Sequence, residues 1–201
     1  MNYKESNITC YNKYSSQFKE RTGNYLHNYI LEDANLFVDN LQGSNVLDLG
    51  SGPGRDSIFF KERGLNPLCL DNSIEMISLC EESGLNAEIG DIENLKFEEN
   101  SFGGVWAYTS LLHFPKKNLP KVFSKIKEIL KPDGIFYLGM KEGDFEGWNE
   151  SDKYPNMMRF FSLYKNEELR PMIEKNFNIF HTSRVELGDA VFLNYMSENL
   201  K

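Results

Sequence analysis

The residues with the clearest chemical purpose are Asp48-Leu49-Gly50-Ser51-Gly52-Pro53-Gly54. They follow a short apolar run, Asn45-Val46-Leu47, and precede a stretch with helical character. Gly50 and Gly52 remove side chains where the chain turns sharply and a ligand must approach the backbone. Gly54 suits close packing of the following helix on the strand. In an open α/β sheet such a turn lies in the crevice at the carboxyl ends of the strands, where ligands bind. The spacing argues against two common ligands. A dinucleotide turn, GxGxxG, wants its third glycine at position 55, where this chain has Arg55, and keeps the strand apolar where Asp48 stands. A phosphate loop needs Gly-Lys followed by Ser or Thr, and that string is absent. A second carboxylate, Asp71, ends the next apolar run and is able to accept two hydroxyls at once.

Alternating strands and helices must position these groups. Apolar spacing predicts a helix over 25–41, ended by Gly43-Ser44, then a buried strand over 45–49. A helix over 56–63, a strand over 65–70, a helix capped by Ser73 and running to Glu82, and a short strand over 87–89 follow. A strand over 102–108, a helix over 120–130 with proline in its first turn, and a strand over 135–140 complete the alternation. This pattern predicts an α/β, doubly wound, seven-stranded and mostly parallel sheet with right-handed crossovers. After 141 the texture changes. Residues 141–158 read as a loop or lid and 166–175 as a helix. Residues 177–185 and 190–196 read as an antiparallel strand pair at one edge, turned by Leu187-Gly188-Asp189. The chain is expected to be one domain over 1–201. It divides into an N-terminal helical cap (1–43), a ligand-binding core (44–140), and a lid, helix and final strand pair (141–201).

With these motifs in place, the sequence resembles the class I S-adenosylmethionine-dependent methyltransferases, whose fold is Rossmann-like with an antiparallel edge strand. Asp48 with Gly50, Gly52 and Gly54 is similar to the family's acidic residue followed by GxGxG. Asp71 stands where the ribose-binding acid is expected. Asp71-Asn72-Ser73-Ile74-Glu75-Met76 resembles DxSxxM, in which the methionine covers the adenine. Gly90-Asp91-Ile92 resembles the element whose aspartate accepts from the adenine amino group. Phe102 to Ala107 resembles the fourth strand, and Leu130-Lys131-Pro132-Asp133-Gly134 the LKPGG turn, with Asp133 in place of a glycine. Tyr11 to Arg21 resembles the opening motif YDxxAxxYxxR, departing from it at Asn12, Ser15 and Phe18. The resemblance spans residues 11–140. It implies S-adenosyl-L-methionine as cofactor, held by Tyr11, Arg21, Asp48, Gly50, Ser51, Gly52, Gly54, Asp71, Asn72, Met76, Asp91, Ile92, Ala107 and Tyr108. The 107–113 segment, with Leu130 to Gly143, resembles a bacterial branch near the tellurite-resistance and small-molecule methyltransferases.

Methyl transfer from a sulfonium is an in-line displacement in which the protein chiefly positions the acceptor. The acceptor end is expected beyond the fourth and fifth strands. His113, Glu142 and Tyr164 are the candidates for catalysis there. His113 is expected to act on the acceptor, with activity rising through a value near 6.5 if it is a base; a histidine that only holds the loop is the alternative. His113, Lys141, Trp148 and Arg159 are the candidates for binding the acceptor. Lys141 and Glu142 form a salt-bridged surface loop on the alternative reading. Trp148 suits a planar substrate, and Arg159 a carboxylate or phosphate or the anchoring of the lid.

Composition narrows the remaining classes. The chain has 201 residues, 40% hydrophobic and 26% charged, with a formal net charge of −8. That balance disfavours nucleic acid as a partner, since phosphate binding rests on Lys and Arg. The Lys116, Lys117, Lys121, Lys125, Lys127 and Lys131 cluster reads as the solvated face of a helix. No apolar run approaches the ~20 residues of a membrane helix, and the first ten residues lack an apolar signal core. A cytoplasmic protein, monomeric or homodimeric, is expected. Three cysteines with no CxxC pair predict neither a disulfide framework nor a metal site. The competing functions are RNA or protein methyl transfer, a non-catalytic cofactor-binding module, and a nicotinamide oxidoreductase.

Overall fold

The computed structural model describes residues 2–151 and 153–200. Its N-terminal part is helical: α1 (Tyr3–Lys13), α2 (Ser15–Thr22), a single π-helical turn (Leu26–Ile30) and α3 (Leu31–Asp39). The Asn2 side chain caps α1 by accepting from the Lys4 amide. The helix expected over 25–41 is thus divided at Leu31. The buried face of both pieces is continuous, through Leu26, Ile30, Ala34 and Phe37.

The core alternates as the periodicity predicts: β1 (Asn45–Leu49), α4 (Arg55–Glu62), β2 (Asn66–Asp71), α5 (Ile74–Glu82), β3 (Asn86–Ile89), β4 (Phe102–Tyr108), α6 (Leu119–Ile129) and β5 (Leu130–Lys141). Ser73 caps α5 by accepting from the Met76 amide. The strand pair after α7 (Asn166–Glu174), here β8 (Phe177–Leu187) and β9 (Ala190–Asn199), completes a seven-stranded sheet in the order β3-β2-β1-β4-β5-β9-β8. Pairing is parallel from β3 to β5 and antiparallel on both sides of β9. The antiparallel strand therefore stands one place in from the edge, and β8 is outermost. The sheet is mostly parallel and its fold Rossmann-like.

β4 sits at the centre with every residue buried, as expected of a strand covered on both faces. Val105 and Ala107 join the core built with α6 and α7 on one face. Trp106 and Tyr108 join the core built with α3 and α4 on the other. Trp106 stacks on Tyr137 of β5, with ring centroids 3.7 Å apart and planes 8° from parallel.

The expectation of a loop over 141–158 is corrected. β6 (Glu146–Ser151) and β7 (Tyr154–Ser162) form a separate antiparallel hairpin. Trp148 lies opposite Phe160 in register and meets it edge-on, with centroids 5.7 Å apart. Cross-strand aromatic pairs of this kind stabilise a hairpin and outweigh the glycine and charge that made the segment read as irregular.

One buried carboxylate ties the N-terminal helices to the far edge of the sheet. Asp33 of α3 accepts from Tyr137 Oη at 2.8 Å, His181 Nε2 at 2.9 Å and Ser183 Oγ at 2.5 Å. An Asp33→Ala substitution strands the buried Tyr137 hydroxyl. It should cost about 3 kcal/mol of unfolding free energy, the scale of lost bonds to a charged group with one partner left unsatisfied. Urea denaturation of the folded variant measures this. A loss below about 1 kcal/mol would mean the cross-tie carries little.

Candidate functional site

The glycine turn after β1 is suspended between its two neighbouring strands. The Gly50 and Ser51 amides donate to the Leu70 carbonyl of β2, at 2.7 and 3.1 Å. On the other side Ser110, just past β4, donates its hydroxyl to the Leu49 carbonyl. Gly50 has φ +77°, and a Cβ there would come within 2.3 Å of Ser110 Cβ. Only glycine satisfies both constraints.

Asp71 completes the turn from the end of β2. Its carboxylate accepts from the Gly52 amide and the Ser73 amide, both at 2.9 Å. Burial pushes its pKa up, and the amides of Ser73, Gly52 and Asn72 oppose that. Asp48 is buried beneath the turn and accepts from Ser57 Oγ at 2.7 Å. Burial first, then Cys69 and Asp56, hold its pKa well above the usual carboxylate range, opposed by the Ser57 hydroxyl and Arg55. Arg55 grips Asp56 with two nitrogens, at 2.5 and 2.8 Å, and donates to the Thr22 carbonyl at 3.3 Å. Trp106 Nε1 donates to the same Asp56 carboxylate at 2.9 Å. Arg55 therefore ties α4 to the end of α2.

A cavity opens over this turn, roofed by α1 and α2, with the β6–β7 hairpin packed against α1. The roof closes through one chain of hydrogen bonds. His113 Nδ1 lies 2.9 Å from the Phe160 carbonyl, which only accepts, so Nδ1 carries the proton. Nε2 is left to accept, and it takes the Tyr11 hydroxyl at 2.7 Å. Tyr11 Oη in turn accepts from Arg159 at 3.1 Å. Burial, helped by the Arg159 charge, lowers the His113 pKa to about 3 against the Phe160 hydrogen bond. The same burial raises Tyr11 to about 12, with Arg159 opposing. His113 thus stays neutral at physiological pH with both ring nitrogens engaged. This corrects the expectation of a base titrating near 6.5. At the other end of the roof, Lys4 Nζ bridges Asp91 at 2.6 Å and Glu93 at 2.5 Å, while Tyr3 donates to Glu93.

Of the residues singled out from sequence, Tyr11, Asp48, Gly50, Ser51, Gly52 and Asp71 line this cavity, as do Asn72, Met76, Ile92, Tyr108 and His113. Gly54 does not: it lies behind the turn, packed on Cys80 and Leu85. Ala107 is buried within the sheet. Asp91 turns to Lys4 and to the Glu93 amide instead of lining the cavity. Arg21 donates to Tyr154, and Arg159 lies against the rings of Tyr11, Tyr154 and Phe161 just behind the lining.

The mouth residues after β5 are not part of the cavity. Glu142 pairs with Arg184 at 3.2 Å, which is the surface salt bridge considered as its alternative, though with a different partner from Lys141. Lys141 ends β5 in register with Phe192 of β9. Tyr164 is fully buried in the core near α7, with Lys116 Nζ 4.6 Å from its ring centroid. Trp148 packs within the hairpin. Just past β5, Glu142 makes a single isolated bridge to Tyr164.

Sequence reasoning missed several lining residues: Tyr3, Lys4, Asn7, Phe18 and Thr22 from the first two helices, Arg55 and Asp56, and Thr109, Ser110 and Phe114. The signal for the last three was the position directly after a central strand. The N-terminal ones were legible only as a polar, aromatic helical cap. Among the described residues, no group of three or more His, Cys, Asp or Glu is placed to hold a metal ion. No helix there is long and apolar enough to cross a membrane.

Residues 46–134 match a family described as a methyltransferase domain. The chain is similar to the sterol 24-C-methyltransferase of Schizosaccharomyces pombe, at 32% identity over 66% of this chain and 34% of that protein. It is similar to the phosphoethanolamine N-methyltransferase of Plasmodium falciparum, at 28% identity over 72% of this chain and 58% of that protein. It therefore spans between a third and somewhat over half the length of these curated relatives. The crystal structure of Burkholderia thailandensis 1,6-didemethyltoxoflavin-N1-methyltransferase, with bound 1,6-didemethyltoxoflavin and S-adenosylhomocysteine, shares the fold. Its TM-score is 0.72 at 20% identity, covering 100% of this chain and 92% of that one.

The neutral His113 has a thermodynamic consequence. Between pH 6.5, where an unfolded histidine takes up a proton, and about 3, where the folded one does, the unfolded state binds more protons. Stability is then complete above 6.5 and falls as pH drops below it. His113→Gln should flatten this part of the profile in urea titrations from pH 8 to pH 4. A wild-type profile kept intact by the variant would contradict the assignment.

Proposed function

We propose that this chain transfers a methyl group from S-adenosylmethionine to a small polar acceptor. The observation that carries the reading is the Gly50–Gly52 turn with buried Asp71 beside it, open to the cavity. A Cβ on Gly52 would meet only Phe18 within 4 Å, so the turn leaves room for a ligand against the backbone. Asp71 keeps lone pairs for ribose hydroxyls beyond the two amides it accepts. Met76 and Ile92 supply apolar walls for an adenine ring. The cofactor supplies an electrophilic methyl carbon for in-line displacement.

The protein's own groups then bind, orient and exclude water. Tyr11 and His113 close the acceptor end with a neutral hydrogen-bonded pair. His113, engaged at both nitrogens, orients the Tyr11 hydroxyl and is not a free base. Among the described residues, Arg159 has no carboxylate partner within salt-bridge distance, and its Nε is buried without one. Its Nη1 is committed to Tyr11 while the buried Nε keeps an unused donor, so Arg159 favours an acceptor bearing a carboxylate or phosphate. The phosphoethanolamine enzyme among the relatives has such an acceptor by name. The roof of α1 and α2 favours a small molecule over RNA or protein. The resemblance to the tellurite-resistance branch keeps tellurium and selenium oxyanions among the candidates. A nicotinamide oxidoreductase is disfavoured by Arg55 at the third-glycine position, where its side chain is committed to Asp56 and Thr22.

Two measurements test the reading. Calorimetry should show S-adenosylhomocysteine binding, weakened by roughly 1.5–3 kcal/mol in Asp71→Ala, the scale of hydrogen bonds to a charged group. Tight binding of a nicotinamide dinucleotide instead would overturn it. A screen of phosphoethanolamine, sarcosine, small thiols, tellurite and selenite, read by S-adenosylhomocysteine release, identifies the acceptor. With an anionic acceptor, Arg159→Met should raise KM by about tenfold or more. An unchanged KM would remove Arg159 from acceptor binding.

A further inference from the structure

Among the described residues, four other than glycine adopt a positive φ: Asn100, Thr109, Asp133 and Asn156. Asn and Asp tolerate the left-handed region because their short polar side chains bond locally. Thr109, at φ +59°, is β-branched, and for such a residue this conformation is a genuine outlier. It is also the only one of the four that lines the cavity.

The strain cannot relax, because the segment is pinned on both sides. The Thr109 amide donates to the Gly139 carbonyl at 2.8 Å, at the end of the β4–β5 ladder where Tyr108 pairs with Gly139. The next residue, Ser110, is bonded to Leu49 and wedged against Gly50. Glycine would adopt this conformation freely, so a threonine is held here at a cost in stability. Strain of this kind persists where the surroundings over-determine it, and it gathers at ligand sites. Among the described residues, no group pairs with the Thr109 hydroxyl.

The sheet order places Thr109 in the row of strand ends along the cavity. Ile92 lies beyond the end of β3, Asp71 at the end of β2, and the glycine turn follows β1. β4 is next in the sheet, and Thr109 directly follows it. A cofactor laid across these ends, with adenine by Ile92 and ribose on Asp71, brings its sulfonium end to Thr109. This step rests on the function proposed above.

We propose that Thr109 reads the charge of the cofactor. Its hydroxyl oxygen, fixed by the strained backbone, faces the positive sulfonium and its methyl group. A fixed oxygen dipole beside a cation is worth more in a water-poor site than in bulk solvent. The uncharged thioether product gains nothing from it. Thr109 therefore makes S-adenosylmethionine bind more tightly than S-adenosylhomocysteine and holds the methyl toward the Tyr11–His113 end.

The test compares the dissociation constants of S-adenosylmethionine and S-adenosylhomocysteine, with thermal melts, for the wild type, Thr109→Val, Thr109→Ser and Thr109→Gly. Val keeps the shape and removes the hydroxyl. It should weaken S-adenosylmethionine by about tenfold, the lower scale of a bond to a charged group, and leave S-adenosylhomocysteine within about twofold. Ser should retain the preference. Gly should melt higher than the wild type, by relief of strain, and lose the preference. Equal weakening of both ligands by Val, or of neither, would overturn the assignment, as would a Gly variant that melts no higher. A wild type that binds neither ligand would instead overturn the proposed function, which keeps the two failures distinct.

Discussion

The close approach of Gly50 to Ser110 is the constraint on which the site depends. β1 and β4 are neighbours in the sheet, and the chain leaving each must pass the other at the same end. Gly50 removes the side chain that would collide, and Ser110 turns its hydroxyl back to the Leu49 carbonyl. The turn's own amides are then free to reach Leu70, and the Gly52 amide reaches Asp71. A single tight crossing thus fixes the glycine turn, the buried Asp71 carboxylate and the left-handed Thr109 in one frame. Packing behind it leaves little slack: a Cβ on Gly54 would meet Leu85 at 2.5 Å, and one on Gly139 would meet Tyr108 at 2.2 Å.

The roof is built by a different logic. It is polar, and it joins segments far apart in the chain. Arg159 to Tyr11 spans 148 residues, Tyr11 to His113 spans 102, and Lys4 to Asp91 spans 87. In the Arg159–Tyr11–His113 chain, neighbouring bonds strengthen one another. The neutral His113 follows from that setting: burial and the nearby Arg159 charge disfavour the protonated ring more than the Phe160 carbonyl favours it. Lys4 faces two acids, while among the described residues Arg159 has no carboxylate within salt-bridge distance.

The half of the site that was legible in the sequence is the half made of strand ends. Gly50, Gly52 and Asp71 lie at strand ends that local periodicity set, and Met76 and Ile92 were singled out by the family resemblance of the motifs that follow them. The seven-stranded, mostly parallel sheet with an antiparallel pair at one edge followed from the same alternation; the strand order did not. The roof was illegible because its partners are chosen by tertiary contact. Nothing local says that Lys4 meets Asp91, or that Asn7 meets Phe160. Residues 141–158 misled for a related reason: the glycines and charges are local, while the Trp148–Phe160 pair that makes a hairpin is not. His113 lines the cavity, but its pKa depends on burial and on Phe160, neither of which spacing reveals.

We propose the roofed cleft over the glycine turn as the S-adenosylmethionine site. Amide hydrogen exchange of the intact protein, with and without S-adenosylhomocysteine, tests it most directly. The account predicts added protection confined to residues 50–54, to 71–76 and to the roof helix over 4–12. Protection elsewhere in the sheet with none at the turn, or the same pattern produced equally by a nicotinamide dinucleotide, would contradict it.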